Sequence, residues 1–586
     1  MTSGNTAFIK GQLAAASKLI GLACAVSILS FSSALASDGG DGHRQLTEED
    51  FPSASKCGTC HERIYKEWSS SSHANAAISP VFHKFEQKIN DLAPTIGNFC
   101  VRCHQTIGTT LGEARDINTW ERSQVSREGV TCVTCHRVDT AYYKSNGQRR
   151  IKPGNIFQPV FGAKDNVNLK DVLAKQDNYK VTTDSKKRGK KIHTEALKND
   201  QLSKSEFCAS CHQVAVNLGI KLEVVWDQYR GSPAHAQGVS CQSCHMGKIP
   251  GVDSGYDQDY VAIIKGKTVG EKQDHHNHAF YGPGYSIAHP GLFPHNPDAE
   301  NFTPEEWLTF DYRSDWGKTD WEDEIEDADT EMEFPEAWGD RADREDARAV
   351  VEENLERTRE KADLRRQVME NGSHIDGPFF TSAKSVGKDL EFHYIVKNIN
   401  NGHNLPSGSL GAQPELWLNV ALADPDGRNI WESGYVDSNG DMADLHSLDV
   451  LAGKIKHDDQ LFNLQTKFLT TNVKGTDREM YLPVNFDLDQ LPQLRPPAQP
   501  VTVMNHPPFV RMEGRSIPPL GQRKANYEVP AALITKTGTY KLSSRMRSRA
   551  EPIYFMRFIG ATPEMEKSMN EWMIDMHAYT VEFQVQ

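Results

Sequence analysis

The sequence predicts a multidomain α+β fold, with a mostly helical or irregular N-terminal part followed by an antiparallel β-sandwich. Two observations carry this prediction. Residues 57–245 contain the pattern Cys-x-x-Cys-His five times, in segments rich in Gly, Pro and polar residues. After Gly372 the hydrophobic period becomes two, as in residues 390–397 and 416–423, and short strand-like runs broken by Pro and Gly follow. Short strands at this spacing are typical of a sandwich.

The five Cys-x-x-Cys-His motifs have the spacing that attaches c-type haem. The two thiols of such a motif add to the vinyl groups of haem, and the adjoining histidine binds the iron on its proximal side. We therefore expect five covalently attached haems c. The attaching cysteines are Cys57, Cys60, Cys100, Cys103, Cys132, Cys135, Cys208, Cys211, Cys241 and Cys244. The proximal histidines are His61, His104, His136, His212 and His245.

Structural zinc and disulfides are the alternative interpretations of ten paired cysteines. Zinc sites usually combine two such pairs, or one pair with a distant histidine pair, and do not need a histidine after every second cysteine. Five motifs is also an odd number for pairing. Disulfide frameworks are typical of small secreted domains rather than of a chain of 586 residues. The pattern therefore favours haem.

The spacing of the motifs indicates that the haems lie close together. Five motifs within 189 residues leave fewer than 40 residues for each haem, too few to insulate the haems from one another. An internal repeat is also present, because residues 99–105 return as 207–213 and residues 129–136 return as 238–245. We therefore expect one haem followed by two pairs, with touching haems that provide a path for electrons.

The first residues predict export. Residues 1–36 have the pattern of a signal peptide, with lysines before an apolar run at 19–31 and Ala-Leu-Ala at 34–36. Cys24 lies in that run and is expected to be removed with it. Residues 37–56 are expected to form a flexible leader. Export suits c-type haem, which is attached outside the cytoplasmic membrane, and predicts a periplasmic or extracellular location.

Three further parts are predicted after the leader. We expect a pentahaem cytochrome domain at 57–300, an acidic segment with a long linking helix at 301–372, and a cysteine-free β-sandwich at 373–586. The helix itself is predicted over 343–370, with Asn-Gly at 371–372 as its stop. Its apolar stripe, expected to pack on the haem domain, is Ala347, Val351, Leu355, Thr358 and Ala362.

The charge and hydropathy of the chain restrict its partners. The formal net charge of −14 is a poor match for nucleic acid and a better one for a basic docking partner. No later stretch approaches the roughly 18 apolar residues of a membrane helix, so no transmembrane segment is expected in the mature chain. We expect a redox protein donor and a redox protein acceptor. A homo-oligomer or filament is the alternative assembly.

Each proximal histidine leaves one axial position of its iron to be filled. A second histidine gives a low-spin, low-potential carrier, whereas an open position permits substrate chemistry. Seventeen of the 22 histidines lie outside the motifs, so the sequence does not pair each iron with its ligand. His73 and His235 are predicted ligands because each follows an aromatic residue and serine and precedes alanine. The alternative for both is a surface or core histidine.

Three more histidines complete the predicted distal set. His193 lies in the long interval between the third and fourth motifs. His278 is preferred within the patch 274–280, because the aromatic-Gly segment after it would close over a haem. His403 lies in a Gly- and Pro-framed loop between two predicted strands. Iron ligation by His403 would join the β domain to the haem domain, and the alternative is a turn histidine bonded to its own backbone.

The motif arrangement resembles the multihaem cytochrome superfamily of pentahaem nitrite reductase, octahaem hydroxylamine oxidoreductase and the tetrahaem carrier of the latter. The first four motifs, with the segment Trp68–Ala74 and Gly129-Val130, look most like the tetrahaem carrier. That resemblance implies distal ligation by His73 and by a histidine in the interval that His193 occupies. The loop around His403 resembles larger exported multihaem cytochromes.

The same comparison shows departures from the enzymes of the superfamily. Nitrite reductases typically attach their catalytic haem through Cys-x-x-Cys-Lys, and no motif here ends in lysine. Hydroxylamine oxidoreductases carry eight haems, against five motifs in this chain. Both departures favour a carrier over an enzyme, so no catalytic residue is assigned.

The sequence therefore predicts an exported pentahaem cytochrome that passes single electrons along closely packed, mostly bis-histidine haems between redox partners. One alternative is an oxidoreductase of a small nitrogen or sulfur compound, such as nitrite, hydroxylamine or tetrathionate, that acts at one open haem. The other is a subunit of an extracellular conducting cytochrome filament.

Overall fold

The computed structural model describes the chain from residue 44 onward, with gaps. The described residues are 44–92, 97–138, 146–147, 149–215, 221–285, 289–292, 296–328, 332–408, 414–465, 467–471, 479–481, 510–513 and 515–586. The chain divides into two units, residues 1–46 and 47–586. The predicted signal peptide and the first residues of the predicted leader lie outside the described residues. Within the leader, Phe51 and Ala54 are buried. The predicted domain boundaries stay predictions.

Most helices of the N-terminal part are short. The α-helices are Ala54–Gly58, Glu62–Ser69, Pro80–Leu92, Val101–His104, Thr106–Leu111, Gln124–Arg127, Cys132–His136, Val167–Ala174, Gln176–Tyr179, Ser205–Ala209, Val225–Arg230, Pro233–Ala236, Cys241–His245, Pro304–Thr309, Thr319–Asp327, Arg341–Gly372, Leu448–Leu451, Ile553–Ile559 and Pro563–Glu571. Single 3₁₀ turns lie at Glu48–Asp50, Thr119–Glu121, Asp200–Ser203, Pro297–Asn301, Glu336–Trp338 and Ala531–Leu533. Helices this short depend on packing rather than on propensity.

Small two-stranded sheets connect the helices of the N-terminal part. The pairs are Val160–Gly162 with Ala196–Lys198, Val181–Thr182 with Lys190–Lys191, Val214–Ala215 with Lys221–Glu223, Asp257–Asp259 with Gln273–His275, and Ile263–Ile264 with Lys267–Thr268. The first two pairs are parallel and the other three are antiparallel. A separate antiparallel sheet near the C-terminal part joins Lys467–Thr471, Glu479–Tyr481 and Val510–Glu513.

Two antiparallel sheets form the C-terminal part. The three-stranded sheet has the order Ser373–Phe380, Leu390–Asn398, Gln522–Val529. The five-stranded sheet has the order Asn429–Ser433, Glu415–Ala423, Gly538–Arg549, Ile574–Val585, with Phe462–Asn463 also paired to Glu415–Ala423. Side chains of both sheets share one core, which makes the arrangement a sandwich. The predicted α+β class with a C-terminal antiparallel sandwich is confirmed.

The central strands of the two sheets are buried differently. Residues of Leu390–Asn398 alternate between buried and more exposed positions, as the period of two predicts. Glu415–Ala423 is buried along nearly its whole length. Its outer face carries Trp417, which donates to the carbonyl of Gly434 at 3.0 Å and lies under the guanidinium of Arg549. Gly434, which follows the neighbouring strand Asn429–Ser433, therefore lies against the second face of Glu415–Ala423.

The long helix Arg341–Gly372 begins where the carboxylate of Asp340 accepts from the backbone nitrogen of Ala342. It is two residues longer at each end than the predicted helix and passes directly into the first strand of the sandwich. Ala347, Val351 and Thr358 of the predicted stripe are buried, whereas Leu355 and Ala362 are half-buried. The buried face also contains cations that the apolar pattern did not predict, namely Arg344, Arg348, Lys361 and Arg365.

The sandwich packs on the N-terminal part through polar loop contacts. Gln228 accepts from the backbone nitrogen of Asn404 at 3.3 Å and from the hydroxyl of Ser407 at 2.7 Å. The backbone nitrogen of Ala234 donates to the carbonyl of Asn401 at 3.0 Å. These contacts place the loop around His403 against the segment that leads to the fifth motif.

Inside the sandwich region, the ion pair of Arg549 with Glu415 is fully buried, with both side chains 0% exposed. Arg549→Met should lower the free energy of unfolding by about 3–5 kcal/mol, because the carboxylate of Glu415 is left buried without its cation. Denaturant unfolding followed by circular dichroism measures the change. Lys541→Met on the same strand is the control, and little change is expected because its ion pair with Glu582 is exposed. Equal losses in the two variants would contradict the prediction.

Candidate functional site

Each Cys-x-x-Cys-His motif lies on a single turn of helix or beside one. The third and fifth motifs are the helices Cys132–His136 and Cys241–His245, and the other three motifs overlap Ala54–Gly58, Val101–His104 and Ser205–Ala209. Residues three apart on a helix share a face, so the two thiols of a motif point the same way. All ten motif cysteines are free, half-buried thiols. Among the described residues, no group of three or more His, Cys, Asp or Glu side chains could hold a metal ion.

Thiols of different motifs hydrogen-bond one another. Cys57 of the first motif bonds Cys132 of the third. Cys103 of the second motif bonds Cys211 of the fourth. Cys208 of the fourth motif bonds Cys241 of the fifth. These contacts place the first motif beside the third, the fourth beside the fifth, and the second beside the fourth. If the third and fourth motifs are also neighbours, the motifs contact in the order first, third, fourth, fifth.

A buried carboxylate holds the first and third motifs together. Glu128 accepts from the hydroxyl of Ser53, from the backbone nitrogen of Ala54 at 2.9 Å and from the hydroxyl of Thr131 at 2.8 Å. These donors precede the first and third motifs. Burial raises the pKa of Glu128 to about 7. Glu128 was not among the predicted site residues, although its place directly before the Gly-Val pair of the repeat could have drawn attention to it.

A buried cation joins the third and fourth motifs. Arg149 donates to the hydroxyl of Ser210 at 2.7 Å and to the carbonyl of Phe207 at 3.0 Å, and its guanidinium lies over the ring of Phe207. It also reaches the sulfur of Cys135 at 3.8 Å. The third and fourth motifs are therefore neighbours. Arg149 was missed because it lies in a polar segment that resembles a solvated loop.

Close backbone contacts complete the cluster. The backbone nitrogen of Cys241 donates to the hydroxyl of Ser205 at 3.0 Å, which fixes the fifth motif beside the helix of the fourth. A Cβ atom on Gly147 would lie 2.6 Å from the sulfur of Cys103, so only glycine allows this approach of chain and thiol. The expected pairing of the second motif with the third is partly met, because the hydroxyls of Thr106 and Thr134 are 2.6 Å apart.

Three proximal histidines are oriented by hydrogen bonds to backbone carbonyls elsewhere in the chain. A carbonyl oxygen only accepts, so the Nδ1 atom of each such ring carries the proton and leaves Nε2 for a metal. The bonds run from His61 Nδ1 to Val261 O at 2.7 Å, from His136 Nδ1 to Phe161 O at 2.6 Å and from His245 Nδ1 to Tyr281 O at 2.5 Å. The ring of His104 also bonds the backbone of Ala76.

Three of the predicted distal histidines face a motif histidine. The ring centroids of His73 and His212 are 6.2 Å apart, those of His278 and His136 are 6.4 Å apart, and those of His403 and His245 are 6.0 Å apart. A metal binds an imidazole nitrogen at about 2 Å, so two imidazoles on opposite sides of one metal have centroids roughly 6 Å apart. The spacing therefore suits axial ligands of one iron, at the fourth, third and fifth motifs respectively.

The loops that carry these histidines are held by polar groups. The ring of His278 donates through Nδ1 to the carbonyl of His276 at 2.6 Å, and that of His403 donates to the carbonyl of Asn404 at 2.9 Å. The side chain of Asn400 accepts from the backbone nitrogen of His403 at 3.3 Å. The predicted turn bond of His403 to its own backbone is thus present, and it orients the ring toward His245 rather than excluding ligation.

The Gly-Val pair that recurs in the repeat has a local reason at the third motif. Gly129 has a φ of +65°, and a Cβ atom there would lie 2.5 Å from the carbonyl oxygen of His73. The next residue, Val130, donates from its backbone nitrogen to that same carbonyl at 3.0 Å and accepts from the indole of Trp68 at 2.9 Å. The segment before the third motif therefore fixes the backbone of His73.

His193 lies near the first motif. Its Nδ1 donates to the carbonyl of Glu195 at 3.2 Å, and the charge of His61 contributes to lowering its pKa. This neighbourhood is compatible with a pairing of His193 and His61, and the role of His193 as a ligand stays a prediction from the sequence. His235 is not placed against a motif histidine among the described residues. Its side chain is exposed and its ring lies against Tyr229, so its role as a ligand stays a prediction from the sequence.

The second motif is surrounded differently. The ring of Phe82 stacks on His104 with centroids 3.9 Å apart and planes 5° apart. The neighbouring His83 uses Nε2 to donate to the carbonyl of Ala77 at 2.6 Å. Among the described residues, no imidazole is placed opposite His104 at the spacing of the other pairs. Phe82 is a further site residue that the sequence did not identify.

Burial keeps the facing imidazoles neutral. It lowers the pKa of His73 and of His278 to about 3, and the pKa of His193 and of His403 to about 4. Neutral imidazole is the form that binds a metal. Judged by their exposed surface, these side chains are only half-buried, as expected of rings that face a cleft. The thiol pairs, the free Nε2 atoms and the spacing of the rings together fit haem c.

A small cavity, with free space for about one water molecule, lies beside this cluster. Phe280 is part of its wall and contacts the ring of His73, with centroids 4.4 Å apart. Two cations of the long helix, Lys361 and Arg365, also line it. Burial lowers the pKa of Lys361 to about 7 and that of Arg365 to about 10. The cavity is therefore bordered by two charges that the protein interior disfavours.

Comparison with known proteins gives one family. The profile of the family described as "Cytochrome c554 and c-prime" matches residues 56–137, which contain the first three motifs. No curated protein matches the chain. Among solved structures, the chain is similar to Pseudomonas fluorescens alkylpurine DNA glycosylase AlkC bound to DNA containing an abasic site analog, with 10% identity and a TM-score of 0.13. That match covers 42% of this chain and 40% of the other, and so low a TM-score carries no argument.

The family match supports a c-type cytochrome electron carrier with covalently bound haem c. It also supports export, which is typical of this family. No helix within the described residues is both long and apolar enough to span a membrane.

The facing imidazoles predict the result of removing them. Replacing His73, His278 or His403 by glycine should convert one low-spin ferric iron to high spin in each variant, because one axial nitrogen is lost. Electron paramagnetic resonance of the oxidised holoprotein counts the irons in each state. His83→Ala is the matched control and should leave the count unchanged, since Nε2 of His83 already bonds a carbonyl. An unchanged low-spin count in the three glycine variants would contradict the pairing.

Proposed function

We propose that this chain is an exported pentahaem c-type cytochrome that passes single electrons between redox partners. The observation that carries the proposal is the contact of the five motifs with one another through thiols and buried polar groups. Haem c, when bound, supplies one-electron oxidation and reduction of its iron. The residues of this chain hold and orient that group.

The motifs would hold the haems in a branched row. The contacts of Cys57 with Cys132 and of Cys208 with Cys241 form the two ends of the order first, third, fourth, fifth. The contact of Cys103 with Cys211 attaches the second motif to the fourth. This order differs from the order along the chain, and it makes the fourth motif the branch point. We propose that the first and fifth motifs are the ends at which partners dock.

The distal histidines would make most of the irons six-coordinate. His73, His193, His278 and His403 supply an imidazole to the fourth, first, third and fifth motifs, and their low pKa values keep those rings unprotonated at neutral pH. Six-coordinate iron exchanges electrons without binding substrate, so four such sites favour a carrier. A periplasmic or extracellular location follows from the proposed export.

The second candidate function is reduction of a small nitrogen or sulfur compound at the second motif. The observation that favours it is the ring of Phe82 stacked on His104, with His83 engaged elsewhere. If no residue outside the described ranges supplies a ligand, the iron of this motif keeps an open position. His235 remains the rival ligand from the sequence. A conducting filament of identical copies stays an alternative assembly.

The composition and spin states of the purified protein test both candidates. The intact mass should exceed that of the mature polypeptide by five haems, because five motifs are present. Electron paramagnetic resonance of the oxidised protein should show at least four low-spin irons. One high-spin iron whose signal changes on adding nitrite or hydroxylamine would support the second candidate, and five low-spin irons would exclude it. A colourless protein would defeat the proposed function.

A Cys208→Ala, Cys211→Ala double variant provides the matched control for the haem count. It should retain four haems, because the other thiol pairs remain. It should also slow electron exchange between the first and fifth motifs, because it removes the proposed branch point. Haem content by the pyridine haemochrome method and stopped-flow reduction measure these two effects. Unchanged rates in a four-haem protein would contradict the proposed order.

A further inference from the structure

The cavity beside His73 contains an unusual pair of cations. Lys361 and Arg365 lie one turn apart on the long helix and are 9% and 1% exposed. Lys361 Nζ donates to the hydroxyl of Ser72 at 2.8 Å. Arg365 donates to the carbonyls of Pro283 at 2.8 Å and Trp572 at 3.0 Å. The cavity wall also includes the side chains of Ser70, Phe280, Tyr281 and Leu364.

These two cations lack a counter-charge in the described part of the chain. No described carboxylate lies within ion-pair distance of Lys361 or Arg365, and Nη2 of Arg365 is buried with no hydrogen-bond partner there. The same helix treats another buried cation differently, since Arg344 pairs with the buried carboxylate of Glu322 at 2.5 Å. Arg357, one turn before Lys361, pairs with Glu353. The missing negative charge therefore distinguishes Lys361 and Arg365 from Arg344 and Arg357 of the same helix.

We propose that this cavity binds a carboxylate or a small oxyanion between Lys361 and Arg365. A buried cation is unfavourable unless an anion pairs with it, and two adjacent ones more so. An ammonium group and a guanidinium with a free N–H form a donor set that recognises such anions. The free space between these groups is about that of one water molecule, which restricts the ligand to an anion that places a single oxygen there.

Two sources supply this chemistry. The first is a propionate side chain of a haem held between His73 and His212, since Phe280 joins the cavity to the ring of His73. This source rests on the proposed function. The second is a free oxyanion from solution, which needs no haem. Both sources place one negative charge on the same two residues.

The stability of charge-removing variants tests the proposal. If an anion is bound, Lys361→Met and Arg365→Met leave it unpaired and should lower the denaturation midpoint of the holoprotein. If the cavity holds no anion, Lys361→Met removes an uncompensated buried charge and only one bond, to the hydroxyl of Ser72, and should leave the midpoint unchanged or raise it. Arg365→Met also frees the carbonyls of Pro283 and Trp572 and lowers the midpoint in either case, so Lys361→Met is the deciding variant. Arg366→Met is the matched control on the same helix, because Arg366 is exposed and pairs with Asp363. Its midpoint should equal that of the wild type.

Titration with sulfate and with acetate separates the two sources. A propionate predicts that the variants are less stable than the wild type in buffer free of both anions, with no saturable effect of adding either. A free oxyanion predicts a wild-type midpoint that rises with anion concentration and variants that lack this rise. A Lys361→Met variant at least as stable as the wild type at every concentration would overturn the proposal.

A crystal structure of the wild-type holoprotein tests the same point without any variant. A carboxylate or oxyanion oxygen within hydrogen-bond distance of Lys361 Nζ or Arg365 Nη2 is the expected result, and water alone between them would overturn the proposal. Haem content separates this outcome from failure of the proposed function. A five-haem protein with only water in the cavity defeats the anion site alone, whereas a protein without haem defeats the proposed function.

Discussion

The structure depends on pairs of imidazoles that face one another across gaps of about 6 Å. His73 faces His212, His136 faces His278, and His245 faces His403, and each pair joins segments more than 130 residues apart in the chain. The helices that carry the motifs have only four or five residues and do not persist alone in water. A metal held between two such rings would link distant segments, in the way that metal binding couples to folding in other small domains. The N-terminal part is therefore expected to fold fully only with its cofactors.

Polar residues between the motifs give the cluster its order. Glu128 joins the first motif to the third from a buried position, and Arg149 joins the third to the fourth from a half-buried one. A buried charge of this kind costs free energy unless every bond is made, so it fixes one arrangement of the helices rather than several. The contact order of the motifs follows from these two side chains more than from the spacing along the chain. That is why the simple pairing of consecutive motifs describes the cluster only in part.

The chemistry of the site could be predicted from the sequence because covalent attachment needs a short, contiguous pattern. The sandwich could be predicted because Leu390–Asn398 has a clean period of two. The pairing of histidines that are distant in the chain could not be predicted from the sequence. His403 and His245, for example, are brought together by loop contacts such as that of Gln228 with Ser407. The sequence around His235 is similar to that around His73, so both histidines were predicted as ligands. In the structure His235 is exposed, whereas His73 lies against His212. The apolar stripe of the long helix was incomplete because its buried face includes Lys361 and Arg365, which no hydrophobic pattern indicates.

Buried cations of this chain are satisfied in two ways. In the sandwich region Arg549 pairs with Glu415, and Arg557 pairs with Asp441. Arg122 of the N-terminal part pairs in the same way with Glu113. Near the motifs, however, Arg137 is 1% exposed and donates to backbone carbonyls, with its Nε lacking a partner among the described residues. Lys361 and Arg365 likewise have no described carboxylate partner. A protein with a net charge of −14 has carboxylates to spare, so their absence from these positions is not a matter of composition. At these three positions the described polypeptide supplies no negative charge of its own, which leaves them able to receive it from a bound group.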